Sequence, residues 1–154
     1  MKKNSKFYHV IAVTFLIEKN GRFLLIKRSS NEDHYGGKWV FPGGKVEKEE
    51  DVIETLLREV KEETGLQVQR KAAFLRSYSF TRKDNSSTVG LVFCLKYKSG
   101  KVKLDKNSED FAWILPEEIK DYDTIPGIEI HIKNAQEAIQ KNLFMDLKKL
   151  SKNG

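Results

Sequence analysis

The apolar run Val10-Ile11-Ala12-Val13-Thr14-Phe15-Leu16-Ile17 is followed by Asn20-Gly21 and then by Phe23-Leu24-Leu25-Ile26. No other feature limits the fold as strongly. The first run is rich in β-branched residues and apolar on both faces, which predicts a central strand over residues 8–18. Asn-Gly accepts the positive φ angles of a two-residue turn, so the second run returns beside the first as a hairpin. Lys2 and Lys3 precede the first run as they would in a leader, but no small-residue cleavage site follows. The run also falls short of the ~20 apolar residues that a membrane span needs. A cytoplasmic protein is expected, and the single Cys94, with no internal partner, fits a reducing compartment.

Further along, residues 29–38 read as a polar loop, Trp39-Val40-Phe41 as a short strand and Pro42-Gly43-Gly44 as its breaker. In residues 51–64, Val52, Ile53, Leu56, Leu57 and Val60 recur on one helical stripe, and Gly65 is a stop signal. Extended structure is expected over residues 66–81, with Phe74, Tyr78 and Phe80 on one face and Ala73 and Leu75 on the other. Residues 88–97 and 111–115 read as strands. Pro116 opens a short helix, and a longer one is expected over residues 129–150. Length favours one domain over the 154 residues, and the order of elements indicates α+β with a mixed sheet between helices.

The net charge of +6 is unevenly placed: residues 44–66 hold eight acids and four bases, a local balance of −4. The remaining bases are dispersed and no nucleic-acid recognition motif appears, so no stable nucleic-acid partner is expected. Glu59, Glu62 and Glu63 stand at i, i+3 and i+4 and project from one helix face. Such like charges cost a few tenths of a kcal/mol per pair. A hard divalent cation such as Mg²⁺ or Mn²⁺ reverses that cost, because it prefers carboxylate oxygen. Taken alone, an acidic helix face reads equally as solvated surface.

The surroundings change that weight. Gly44, Glu50, Arg58, Glu59, Val60, Glu62, Glu63, Gly65 and Leu66 occupy the nine fixed positions of the pattern G-x5-E-x7-R-E-U-x-E-E-x-G-U, with U a bulky aliphatic residue. This segment resembles the Nudix box, and the flanking Trp39-Val40-Phe41-Pro42-Gly43 and the later Trp113 also look like that family. The resemblance implies a Nudix fold, an α/β/α sandwich around a mixed sheet. It also implies divalent-metal-dependent hydrolysis of a substrate built on a nucleoside diphosphate. By resemblance Glu59, Glu62 and Glu63 are metal ligands, the Gly43 carbonyl adds another, and Gly44, Glu50 and Gly65 support the box. Arg58 would hold a catalytic glutamate; an ordinary surface pair with Glu54 or Glu62 is the plainer reading. Asn107 takes a position, six residues before Trp113, that is often acidic in the family. Glu109, Asp110 or Glu62 is then left to polarise the water.

For the substrate, Arg28 and Lys45 are candidate phosphate contacts, although Lys45 reads equally as an exposed loop lysine. Phe80, Tyr78 and Trp39 are candidate stackers for a base, and aromatics at strand spacing are also ordinary core. Phe41-Pro42-Gly43-Gly44-Lys45-Val46-Glu47 looks like the loop of the MutT-type branch. That likeness implies a nucleoside triphosphate cleaved to monophosphate and pyrophosphate. The alternatives are an ADP-ribose, nucleotide-sugar or dinucleotide pyrophosphatase, and a nucleotide-binding sensor without activity. The partner implied is a small-molecule nucleotide substrate, with no membrane, and the protein is expected as a monomer or homodimer.

Overall fold

The computed structural model describes residues 8–151; Lys2 and Lys3 lie outside them. Strand β1 (His9–Lys19) turns at Asn20 and Gly21, with φ of 51° and 80°, into β2 (Arg22–Arg28), as the Asn-Gly pair requires. β3 (Trp39–Val40) and β4 (Gly43–Lys45) precede helix α1 (Val52–Thr64). β5 (Gln67–Thr81), β6 (Ser87–Ser99) and β7 (Ser108–Ile114) follow. A 3-10 turn (Pro116–Asp121), helix α2 (Ile128–Gln140), the short β8 (Met145–Asp146) and a second 3-10 turn (Leu147–Lys149) complete the order.

The sheet runs β3-β2-β1-β6-β5-β8, with β4 on β1 and β7 on β2. β1 and β6 are parallel and the other pairs antiparallel, so the sheet is mixed. α1 covers one face through Ile53, Leu56 and Val60, packed with Val13, Phe15, Ile17 and Leu95. α2 covers the other through Ile128, Ile132 and Ala135, packed with Leu16, Leu25, Val92 and Cys94. This is the expected α/β/α sandwich. Among the described residues no helix is long and apolar enough to cross a membrane.

One departure from regular pairing places the site. β1 pairs with β2 only at Glu18–Phe23 and Lys19–Arg22, and β4 takes the same edge from Ala12 to Thr14. Pro42-Gly43-Gly44 therefore does not simply break the chain: β3 ends, and Gly43 starts a new strand against β1. A Cβ on Gly43 would stand 2.1 Å from the Val13 carbonyl oxygen, so only glycine allows this approach.

Three further expectations are corrected. The last helix stops at Gln140 instead of reaching Leu150, because Asn142 adopts a left-handed φ of 52° and the chain returns to β5 through β8. Phe74 does not share a face with Tyr78 and Phe80. A bulge between Phe74 and Arg76 inserts Leu75, so Phe74 packs on Phe93 at the α1 face while Tyr78 packs at the α2 face. On α1, Val52 and Leu57 are half-buried, whereas Thr55, Glu59 and Thr64 are buried.

Candidate active site

The site is built on α1 and its two ends. Asp51 caps the helix by accepting from the Glu54 N–H, and Glu54 returns a bond to the Asp51 N–H. Glu54 is thereby occupied and does not pair with Arg58. At the other end Gly65 takes φ of 69° and donates to the Lys61 carbonyl. Between these fixed ends the helix holds its carboxylates in register with β4.

Arg58 is the organising cation. Its Nε and Nη2 reach the two oxygens of Glu50 at 2.7 and 2.9 Å, a bidentate pair, and Nη2 also donates to the Lys45 carbonyl at 3.0 Å. Nη1 donates to Glu59 at 2.7 Å and to Glu62 at 3.1 Å. The guanidinium, helped by the Thr55 hydroxyl, pulls the Glu50 pKa down to about 2. Arg58 in turn is held more firmly protonated, chiefly by Glu50.

Glu59 and Glu63 face inward. A Cβ on Gly44 would stand 2.2 Å from the Glu59 carboxyl carbon, so Gly44 gives that side chain its room. Glu63 accepts from the Gly43 N–H at 2.9 Å. Burial pushes Glu63 up to about 8, with the Glu59 and Asp105 charges adding to it and the Gly43 bond and Arg28 opposing it. Burial also raises Glu59, against the pull of Arg58. Glu62 is exposed, with 56% of its side chain open to solvent.

Arg28 lies near enough to Glu63 to oppose its pKa rise, while its Nε donates to the His34 carbonyl. Lys45 is exposed at the mouth of the box. Phe80, 44% exposed, stacks on Tyr78 at 6.3 Å on the α2 side. Trp39 packs edge-on against Tyr122 in that same layer, and Trp113 against Tyr97. Glu109 turns to Lys27 at 3.3 Å and to the Ser30 hydroxyl at 3.1 Å, and these partners lower its pKa. Asp110 caps the N–H of Phe111. Asn107 spends its N–H on Asp105 and its carbonyl on Ser29.

Sequence reasoning missed Asp105. Its loop docks on the end of α1 through the Lys103 N–H to the Thr64 carbonyl at 2.8 Å, and its charge reaches both Glu59 and Glu63. Counting back from Trp113 lands two residues past it, on Asn107.

Among the described residues no three His, Cys, Asp or Glu side chains converge on one point as oriented. Arg58 draws Glu59 and Glu62, and the Gly43 N–H draws Glu63. The chemistry of the donors nevertheless suits a hard divalent cation. The set is all oxygen, and two of its carboxylates are desolvated beside a third acid, so a second positive charge would relieve them.

The NUDIX domain family matches residues 7–133. Nucleoside triphosphatase NudI of Escherichia coli is 30% identical over 117 residues, covering 70% of this chain and 83% of that protein. The crystal structure of MutT protein from Methanosarcina mazei Go1 is 29% identical with a TM-score of 0.69, covering 90% of this chain and 99% of that one. A NUDIX hydrolase from Nitrosomonas europaea shares the fold, with a TM-score of 0.73 at 22% identity over 94% of this chain and 97% of that one.

Proposed function

The chain belongs to the NUDIX family of pyrophosphohydrolases, and we propose that it hydrolyses a nucleoside triphosphate to the monophosphate and pyrophosphate at the carboxylate face of α1. The observation that carries this reading is the desolvated pair Glu59 and Glu63 behind the Gly43-Gly44 strand, beside exposed Glu62. The Pro-Gly-Gly-Lys loop and the relative named a nucleoside triphosphatase support a triphosphate over other nucleotides.

Glu59, Glu62, Glu63 and the Gly43 carbonyl would hold the divalent cation. A bound Mg²⁺ or Mn²⁺ supplies charge neutralisation of the phosphates and a water of lowered pKa. Arg58 is a positioning residue: with Glu50 fixed in two bonds, it sets where Glu59 and Glu62 stand. Glu62, open to solvent, accepts the proton of the attacking water, and Asp105 is the second acid within reach of the same face. Glu109 anchors the loop after β2 through Ser30 and Lys27. Arg28 and Lys45 offer cations to the phosphate chain, and Phe80 on Tyr78 offers a flat surface to the base.

The test is hydrolysis of a panel of nucleoside triphosphates, ADP-ribose and dinucleoside polyphosphates with Mg²⁺. A triphosphate turned over fastest supports the reading, and ADP-ribose turned over far faster than any triphosphate replaces it.

A further inference from the structure

On the α2 side the sheet carries a group of aromatic residues that the phosphate chemistry does not use. The His131 ring lies 6.5 Å from Phe41 and 6.3 Å from Tyr78, inclined 28° to the latter, and Tyr78 stacks on Phe80 in turn. Gly90 lies under Tyr78: a Cβ there would stand 2.2 Å from the ring, so the ring rests flat on the strand. This group adjoins the site. Phe41 is two residues before Gly43, and Thr14, which pairs with Gly43, has its hydroxyl 3.5 Å from that of Tyr78.

Two buried polar side-chain atoms among the described residues lack a hydrogen-bond partner, Thr88 Oγ1 and His131 Nδ1. Both belong to this face, since Thr88 stands opposite Phe80 in the β5–β6 register. An orphaned buried polar group carries its full desolvation penalty. His131 is half-buried and Nδ1 is its shut-away nitrogen, which leaves Nε2 for a ligand. An orphaned N–H is rarer than an orphaned lone pair, which puts the proton on Nε2. Burial, and secondarily the Arg76 charge, holds the imidazole down at about 4, so the ring is neutral near pH 7.

We infer that His131 reads the nucleobase: its Nε2–H donates to a ring carbonyl oxygen of a base laid on the Tyr78–Phe80 pair. The inference rests on the nucleotide reading above, and adds to it a preference for bases bearing a carbonyl over adenine, which has none.

Binding of UMP, GMP, IMP and AMP tests it without requiring turnover, so a failure of the triphosphate reaction is seen separately. A carbonyl-bearing nucleotide should bind tightest to the unmodified protein. His131→Leu should weaken that nucleotide by about tenfold, the worth of one hydrogen bond, and change AMP by less than about twofold. His131→Gln, which keeps an N–H donor, should recover most of the loss. Nitrogen-15 NMR of the unmodified protein should show the His131 proton on Nε2, a result that does not depend on either variant folding. AMP as the tightest ligand, equal weakening of all four by His131→Leu, no weakening at all, or a proton on Nδ1 would each overturn the inference.

Discussion

The Glu59 carboxylate lies directly over Gly44, where an added Cβ would come within 2.2 Å of Oε1 and of the carboxyl carbon. The glycine of the box is thus a steric requirement of a buried acid, not only a turn residue. Gly44→Ala should displace the Glu59 carboxylate from the strand with little loss of stability, because the atoms it meets are the end of a side chain and not backbone. Turnover should fall at least about tenfold in protein that is still folded, about 1.4 kcal/mol of barrier. Melting temperature and kcat/KM of the variant check both parts.

Glu62 and Leu56 separate chemistry from scaffold. Glu62→Gln relieves like charge beside Glu59 and Glu63 but also gives up the Arg58 ion pair at 3.1 Å, so the two offset and stability should change by less than about 0.5 kcal/mol. Turnover should drop at least ~100-fold, about 2.7 kcal/mol. Leu56, fully buried on the face of α1 that meets the sheet, is the opposite case. Leu56→Ala should cost about 2–5 kcal/mol of stability, with a smaller effect on turnover. Denaturation curves and rates for both variants decide whether the two effects separate.

Two groups make the fold sensitive to acid, while Glu63, raised from 4.5 to about 8, works the other way and favours the folded state as pH falls through 8. His131 is pushed down from 6.5 to about 4, so the unfolded chain binds its proton first. Its contribution is complete above pH 6.5 and is lost as pH falls through 4. Glu50 is lowered from 4.5 to about 2, so its contribution is complete above pH 4.5 and lost towards pH 2. Melting temperature against pH should therefore lose its upper window in His131→Gln and its lower one in Glu50→Gln.

Divalent cation should matter to both activity and stability. EDTA should abolish hydrolysis. Mg²⁺ should raise the melting temperature in a concentration-dependent way, since a ligand of the folded state alone stabilises it by mass action. The rise should shrink in Glu59→Gln. Hydrolysis that continues unchanged in excess EDTA would exclude the cation from the mechanism.

Much of this was legible in the chain because it is encoded locally. Asn20-Gly21 sets the hairpin, the apolar stripe and the Gly65 stop set α1, and the i, i+3, i+4 spacing sets the carboxylate face. What escaped is set by tertiary pairing. One residue, Leu75, bulges out of the β5–β6 ladder and moves Tyr78 and Phe80 to the opposite face from Phe74, which period-2 counting cannot detect. Asp105 sits in an aperiodic loop whose position depends on the Lys103–Thr64 bond. Met145 and Asp146 form a strand only because the edge of β5 is open to them, although their sequence continues a helical pattern.

The most direct test of the account is phosphorus-31 NMR of a triphosphate incubated with the protein and Mg²⁺, alongside Glu62→Gln. A nucleoside monophosphate and pyrophosphate should form in equal amounts, at least ~100-fold more slowly with the variant. Orthophosphate with a nucleoside diphosphate, or equal rates for the two proteins, would contradict it.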